Sequence, residues 1–371
     1  MKYFKELLKN IDPVLLALPL VFAAISMVIL ESTAWTGELV FTRTIKVQLA
    51  AFAIGLVLIF LIMLFDYKSA ENKHWVFYVF SILFLLAVFI PGIGSEQYGA
   101  RAWLDFGVIY LQPVEVVKLT FIIAFAGFLN SRQDLLHSLS GLLLIGLYIA
   151  PVLGIVIILQ NDLGNALVFV VVAFVMIFVA GVDGKLYAKV TGAGIAAMPL
   201  LYFFAMSEHQ KQRIDAFLHP QDMSLPGNYQ IWQSKVAIGS GGFFGKGLFQ
   251  GTQKELKWVP VRDSDFVFSV IVEEFGFLGG GVVIALYGLF LCRIFKIARN
   301  AKERFGSLIV FGIFAMFLFQ IFENIGMTMG LMPVTGITLP FISAGGSSVV
   351  TNMIALGIVL NICIRSKVIN F

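Results

Sequence analysis

Charge is scarce in this sequence. Asp, Glu, Lys and Arg make up 13% of its 371 residues, against the roughly 25% usual in soluble domains, which excludes an ordinary water-soluble globule. Cysteine is scarcer still. Cys292 and Cys363 are too few for a disulfide framework, and both fall near span ends that the charge pattern below assigns to the reducing cytoplasm. The four histidines, His74, His137, His209 and His219, are scattered over loops without metal-ligand spacing. There is no internal repeat of fixed period and no low-complexity segment. GSGGFFGKG at 239–247 lacks the Lys-Ser/Thr that completes a phosphate-binding loop.

What the chain has in abundance is apolar length: 59% of residues are hydrophobic. Windows of about 20 apolar residues, enough to cross a ~30 Å hydrocarbon core as helix, recur throughout. They predict an all-α polytopic membrane protein with ten transmembrane helices near 14–30, 47–65, 75–91, 113–130, 141–159, 164–181, 185–205, 266–292, 305–330 and 346–364. The first has no small-residue cleavage site behind it and is expected to be a retained anchor. With alternate loops assigned to opposite sides, 15 Lys and Arg fall with the termini and three (Arg43, Lys46, Arg101) in the opposite short loops; Lys118 lies inside a span, and the seven in segment 206–262 are not counted because long loops translocate regardless of charge. The positive-inside rule then puts both termini in the cytoplasm. The net charge of +4 follows from that excess and implies no nucleic-acid partner.

Residues 1–371 read as one membrane domain with two notable outer loops. The large extracytoplasmic loop 206–262, between helices 7 and 8, is half apolar and rich in glycine and aromatics, including Trp232, Phe243, Phe244, Phe249 and Trp258. It is expected to pack as short helices and turns rather than as a solvated linker. Loop 331–345 holds Pro333 and Pro340, which forbid a straight helix.

Ionisable groups inside apolar runs are costly and are functional candidates by default. QPVEVVKL (112–119) places Glu115 and Lys118 three apart on one helix face. Two readings stay open: a structural ion pair, or a polar cavity whose lysine faces an anionic ligand. Asp162 in QNDLG caps the sixth helix or binds substrate. Glu273 and Glu274 lie about 12 Å below Asp265 along the eighth helix and read as structural partners of neighbouring polar groups. In VPVRDSDFVF (259–268), Pro260 ends an irregular segment, Ser264 can cap, and Asp265 is placed in the first helical turn, where the macrodipole favours a carboxylate. Asp263 and Asp265, two apart, share no helix face, so a paired-carboxylate site is not built from them.

The runs GARAWLDFG (99–107), QPVEVVKL, QNDLG (160–164), residues 233–280 and NIGMTMGLMPVTGITLPFISAGGSS (324–348) resemble the SEDS family of bacterial cell-wall polymerases over essentially the whole chain. GTQ at 251–253 and MPVTG at 332–336 are more similar to the elongation branch than to the division branch. The resemblance implies a peptidoglycan glycosyltransferase of the plasma membrane that polymerises lipid II on the extracytoplasmic face. The essential aspartate of the family's Thr-Asp-Phe motif falls on Asp265, within Ser264-Asp265-Phe266. Its fourth-span pair falls on Glu115 and Lys118, and its loop arginine on Arg101. Three positions depart from the family pattern: Asn161 for proline in QPDLG, Ala344 for tyrosine before GGSS, and Glu323 as an acid before NIG.

Joining two lipid-linked sugars requires a base for the acceptor's 4-hydroxyl, and positive charge or a divalent cation for the departing pyrophosphate. Asp265 serves as that base or holds the cation, Mg or Mn. Lys118 and Arg101 are candidates to supply charge, and no organic cofactor is expected. A first-turn aspartate has lowered proton affinity, so burial must offset the helix dipole if Asp265 is the base. Rival readings are a lipid II flippase and a non-catalytic scaffold. The resemblance also implies a partner, a class B penicillin-binding protein. It is expected to dock on the outer ends of helices 8 and 9 and on loop 331–345, where Leu331, Met332, Ile337 and Leu339 would otherwise face water.

Overall fold

The structure is a computed structural model that describes residues 11–35, 37–97, 99–107, 110–204, 206–252 and 263–368. Trp258, Pro260 and the rest of 253–262 lie outside the described residues. The helices are α1 (Pro13–Ala34), α2 (Arg43–Leu64), α3 (His74–Leu86), α4 (Pro113–Ser131), α5 (Leu139–Gly154), α6 (Leu163–Val179), α7 (Gly184–Phe204), α8 (Glu208–Leu218), α9 (Asn228–Gly241), α10 (Val267–Asn300), α11 (Arg304–Met329) and α12 (Gly346–Val368). Among the described residues, nine helical stretches are long and apolar enough to cross a membrane. Leu163–Val179 is a shorter apolar helix of 17 residues. The chain is a multi-pass membrane protein.

Local chemistry explains several boundaries. Val14 and Leu15 donate to Asp12 Oδ1 (3.0 and 3.2 Å) at the start of α1, and proline follows at its first position. Pro113 opens α4 in the same manner. Beyond Gly154, α5 widens into a turn over Ile155–Leu159, where Gln160 N–H reaches back to Ile155 O (2.9 Å). The all-α expectation omits a three-stranded antiparallel sheet: β1 (Gly94–Gln97), β2 (Ala100–Asp105) and β3 (Tyr110–Leu111). Its signal is the alternation in β2, where Ala102 and Leu104 are buried while Arg101 is exposed. Strands this short leave little imprint on a window sized for spans.

Contacts divide the chain into two compact units. The first takes in Met1–Leu64, Gln212–Ile294 and Phe317–Phe371. Its core is aromatic: Phe22 stacks on Tyr287 at 4.5 Å between centroids, and Phe341 meets Phe290 at 5.6 Å and Phe317 at 5.7 Å. The described part of loop 206–262 forms α8, which enters this unit at Gln212, and α9, the short helices expected of it. α9 turns Ile231, Ser234, Ala237 and Gly241 inward, and Ser234 Oγ donates to Thr328 O (2.8 Å). The second unit, Phe65–Lys211 with Phe295–Met316, packs Phe121 against Phe125 and Phe169, and Phe128 against Tyr148.

The eighth apolar stretch is not a continuous helix. At Gly276 the backbone swings to φ 69°, ψ −168°, and the segment after α9 fills the break. Phe277 and Leu278 N–H donate to Gly242 O (2.9 Å) and Phe243 O (3.2 Å), while Glu273 O and Glu274 O accept from Lys246 and Gly247 N–H (3.0 Å each). In a regular helix those four groups would pair with one another. The insertion requires bare backbone: a Cβ on Gly245 would stand 2.1 Å from Glu274 O, and one on Gly276 2.3 Å from Gly245 N. Gly245→Ala is therefore expected to cost more than about 2 kcal/mol, from the clash and the left-handed φ of 82° together. Gly281→Ala, whose Cβ meets nothing within 4 Å, should change stability little. Thermal unfolding of the two variants in detergent measures the difference.

Candidate functional site

Asp265 lies in the turn 263–266 just ahead of α10, not in the helix's first turn as the sequence predicts. Three successive carbonyls of this turn are held from elsewhere in the first unit. Ala344 N–H donates to Asp263 O (2.8 Å), Ser343 Oγ to Ser264 O, and Asn324 Nδ2 to Asp265 O (2.9 Å). The Ser264 hydroxyl, expected as a cap, donates instead to Asp265 Oδ1 (3.0 Å). Gly336, at φ 74°, lies beside the carboxylate: a Cβ there would stand 3.7 Å from Oδ2.

Asp265 is half-buried as a residue, yet burial of its carboxyl group raises the pKa to about 6. The Ser264 hydrogen bond and the Arg213 charge pull it down, and Asp263 pushes it up. Burial therefore does offset the influences that favour the charge, and it leaves a carboxylate suited to accept a proton near neutral pH.

Loop 331–345 is what holds the turn, and it is tied down by polar side chains from four helices. Ser26 Oγ donates to Ile342 O (2.7 Å), Gln48 Nε2 to Ser343 O (2.9 Å), Tyr287 OH to Pro340 O (2.6 Å) and Asn324 Nδ2 to Ile337 O (2.8 Å). Gly345 N–H donates to Gln48 Oε1 (3.1 Å). This corrects the expected docking surface. Ile337 and Leu339 are 3% and 1% exposed and belong to the chain's own core, Met332 is half-buried, and Leu331 alone of the four stays open at 66%. The polar ties pull the loop inward and carry its apolar side chains with it.

Arg101, Glu115, Lys118 and Asp162 belong to the second unit. Lys118, 1% exposed, donates from Nζ to Glu115 Oε1 (2.7 Å) and Asn165 Oδ1 (3.4 Å). Asn165 in turn bonds Asp162: its N–H reaches Oδ1 (3.0 Å) and its Nδ2 reaches Oδ2 (2.8 Å). So Asp162 caps α6, and through Asn165 it is chained to the buried ion pair. Arg101 is on β2 with its guanidinium 5.3 Å from the centre of the Phe89 ring, and its backbone N–H donates to Gln160 O (3.1 Å). Glu273 pairs with Lys246 (2.7 Å) and Glu274 accepts from Ser32, both structural as expected.

The FtsW/RodA/SpoVE family, described as "Cell cycle protein", matches residues 7–368. The chain belongs to this family. It is 32% identical over 363 residues to the peptidoglycan glycosyltransferase MrdB of Escherichia coli K12, covering 97% of this chain and 95% of that protein. Its fold matches a chain in a structure described as "Structural coordination of polymerization and crosslinking by a peptidoglycan synthase complex", with TM-score 0.82, 30% identity, and coverage of 96% and 98%. It also matches the crystal structure of the rod-shape-determining protein RodA of Thermus thermophilus, with TM-score 0.70 and the same identity and coverage.

Against the family pattern the departures acquire physical content. Asn161 has φ 58°, a backbone that proline, fixed near −65°, does not adopt. Its amide instead donates to Gly99 O (3.0 Å), and its Oδ1 accepts from Ser207 Oγ (2.8 Å). Ala344 acts through its backbone N–H alone. Asn165, Arg213, Gln48, Asn324 and Ser343 were missed by a search confined to ionisable groups in spans; a polar amide inside an apolar run was the available signal for Gln48 and Asn324.

Removing one member of a buried pair strands the other charge, at about 3–5 kcal/mol, whereas replacing both by apolar residues is often neutral. Lys118→Ala should accordingly lower thermal stability. Glu115→Leu with Lys118→Met is expected to restore stability without restoring glycan synthesis. Unfolding temperature and polymer yield, measured on the same preparations, test the two halves.

Proposed function

We propose that this membrane glycosyltransferase of cell-wall synthesis polymerises lipid II at the extracytoplasmic face, with Asp265 as the base. The single observation that carries the reading is a half-buried carboxylate with its pKa raised to about 6, on a turn clamped at three consecutive carbonyls. The acceptor's 4-hydroxyl gives its proton to Asp265 as its oxygen bonds to the donor's anomeric carbon. The bond from that carbon to the pyrophosphate breaks, and undecaprenyl pyrophosphate leaves. Arg101, Glu115, Lys118 and Asp162 serve substrate binding, with Lys118 and Arg101 supplying positive charge for the pyrophosphate. The outside placement, and both termini in the cytoplasm across ten spans, are supported by the 15-to-3 cation asymmetry between the terminal side and the opposite short loops.

A divalent cation, Mg or Mn, does not fit the donors around Asp265: among the described residues no three His, Cys, Asp or Glu converge, and a carboxylate that takes up the acceptor's proton is not free to ligate an ion. Charge on the leaving group falls to Lys118 and Arg101 in this reading.

Asp265→Ala should abolish polymerisation of lipid II by the purified chain while leaving it folded, and Asp263→Ala should be much milder. Wild-type turnover should fall as pH drops through about 6, because the base must be ionised. Equal loss in the two alanine variants would overturn the assignment, and movement of lipid across vesicles without polymer would favour the flippase reading.

The resemblance between this chain and a member of a peptidoglycan synthase complex supports a class B penicillin-binding protein as partner, crosslinking the strands this chain makes. With Ile337 and Leu339 buried, the surface left for docking centres on exposed Leu331 at the end of α11. Leu331→Glu should reduce co-purification with the transpeptidase; undiminished recovery would rule out this surface.

A further inference from the structure

Glu323 is an acid that the reaction as described does not use. It is completely buried within α11. Oε1 accepts from Thr335 Oγ1 (2.7 Å), while Oε2 has no hydrogen-bond partner among the described residues. Burying a carboxylate so sparsely satisfied is costly, and leucine or methionine would fill similar volume without that cost. Space-filling is therefore a poor account of this residue.

Its one bond leads to the site. Thr335 is held twice: its hydroxyl bonds Glu323, and its carbonyl accepts from Arg213 Nη1 (3.3 Å). The next residue, Gly336, is the one that lies against Asp265 Oδ2. The neighbour of Glu323 on α11, Asn324, holds the carbonyls of Asp265 and Ile337. Residues 323 and 324 thus grip both the catalytic turn and the stretch 335–337 that faces it.

We propose that Glu323 is a positioning residue for the polymerase reaction: by holding Thr335, whose carbonyl in turn takes Arg213 Nη1, it keeps Gly336 beside the Asp265 carboxylate and fixes where the Arg213 charge stands. This rests on Asp265 being the base. The charged groups bearing on Asp265 are Arg213 of α8 and Asp263 of its own turn, while α11 and loop 331–345 present Asn324 and Gly336 to it. Of these two charges Arg213 favours the ionised aspartate, alongside the Ser264 hydrogen bond, so loosening Thr335 weakens the Arg213 share of that influence.

The test is lipid II polymerisation by the purified full chain in detergent, measured across pH, for Glu323→Gln, Glu323→Leu and Thr335→Val. Glutamine keeps an acceptor for the Thr335 hydroxyl and should retain wild-type rate and pH profile. Glu323→Leu and Thr335→Val each break the tether. They should lose about tenfold in rate, the equivalent of one lost hydrogen bond at ~1.4 kcal/mol, and their acid limb should move to higher pH as Asp265 loses the Arg213 charge. Thermal unfolding checks that all three are folded, and Thr335→Val keeps the question open to measurement if the leucine variant does not fold. An unshifted acid limb in both tether-breaking variants, or glutamine falling as far as leucine, would overturn the proposal. An Asp265→Asn protein that still polymerises would instead overturn the reading beneath it.

Discussion

Irregular backbone in a membrane protein must find its hydrogen bonds inside the protein, because lipid offers none. Loop 331–345 is the place where this chain meets that constraint most heavily. Two prolines prevent it from solving the problem as a helix, so Ser26, Gln48, Tyr287, Glu323 and Asn324 reach in from α1, α2, α10 and α11 to serve it. Phe341 adopts a left-handed backbone, φ 66°, at about 1–2 kcal/mol. Its ring, packed among Phe22, Phe290 and Phe317, offsets that strain. The loop so fixed then clamps the turn carrying Asp265, and the placement of one carboxylate depends on polar groups spread over four helices.

The two groups of candidate residues treat charge differently. Asp265 is half-buried, influenced by the charges of Arg213 and Asp263 and bonded by the Ser264 hydroxyl, while the other hydrogen bonds of its turn go to the backbone. Around Lys118 the charge is paired at once with Glu115 and extended through Asn165 to the cap of α6. The first arrangement leaves a carboxylate whose protonation can change near neutral pH, and the second fixes a charge by its partners.

The apolar spans were legible because length and composition alone define them, and Asp265, Glu115 and Lys118 stood out as ions in greasy surroundings. Other features depended on tertiary partners. The position of Asp265 before α10 rather than inside it follows from Ser343, Ala344 and Asn324 drawing the carbonyls of residues 263–265 away from a helical ladder. Ile337 and Leu339 read as exposed because proline-rich connections usually run over surfaces, whereas here buried amides and hydroxyls pull the loop inward. The break at Gly276 was invisible in FGFLGGG, an apolar run consistent with unbroken helix. Its cause lies some 30 residues earlier in the chain, at Gly242 to Gly247.

That break bears on how the protein is made. The two helical hydrogen bonds lost by α10 are replaced by four from a segment that leaves the ribosome before α10 does, and the segment's own partners at Glu273, Glu274, Phe277 and Leu278 do not yet exist when it emerges. The stretch after α9 must therefore wait, its backbone served by water, until the following helix has been delivered to the bilayer. Only then can the interlock close and exclude solvent. Biogenesis of this enzyme thus includes a post-insertion assembly step in which an earlier loop completes a helix that arrives after it.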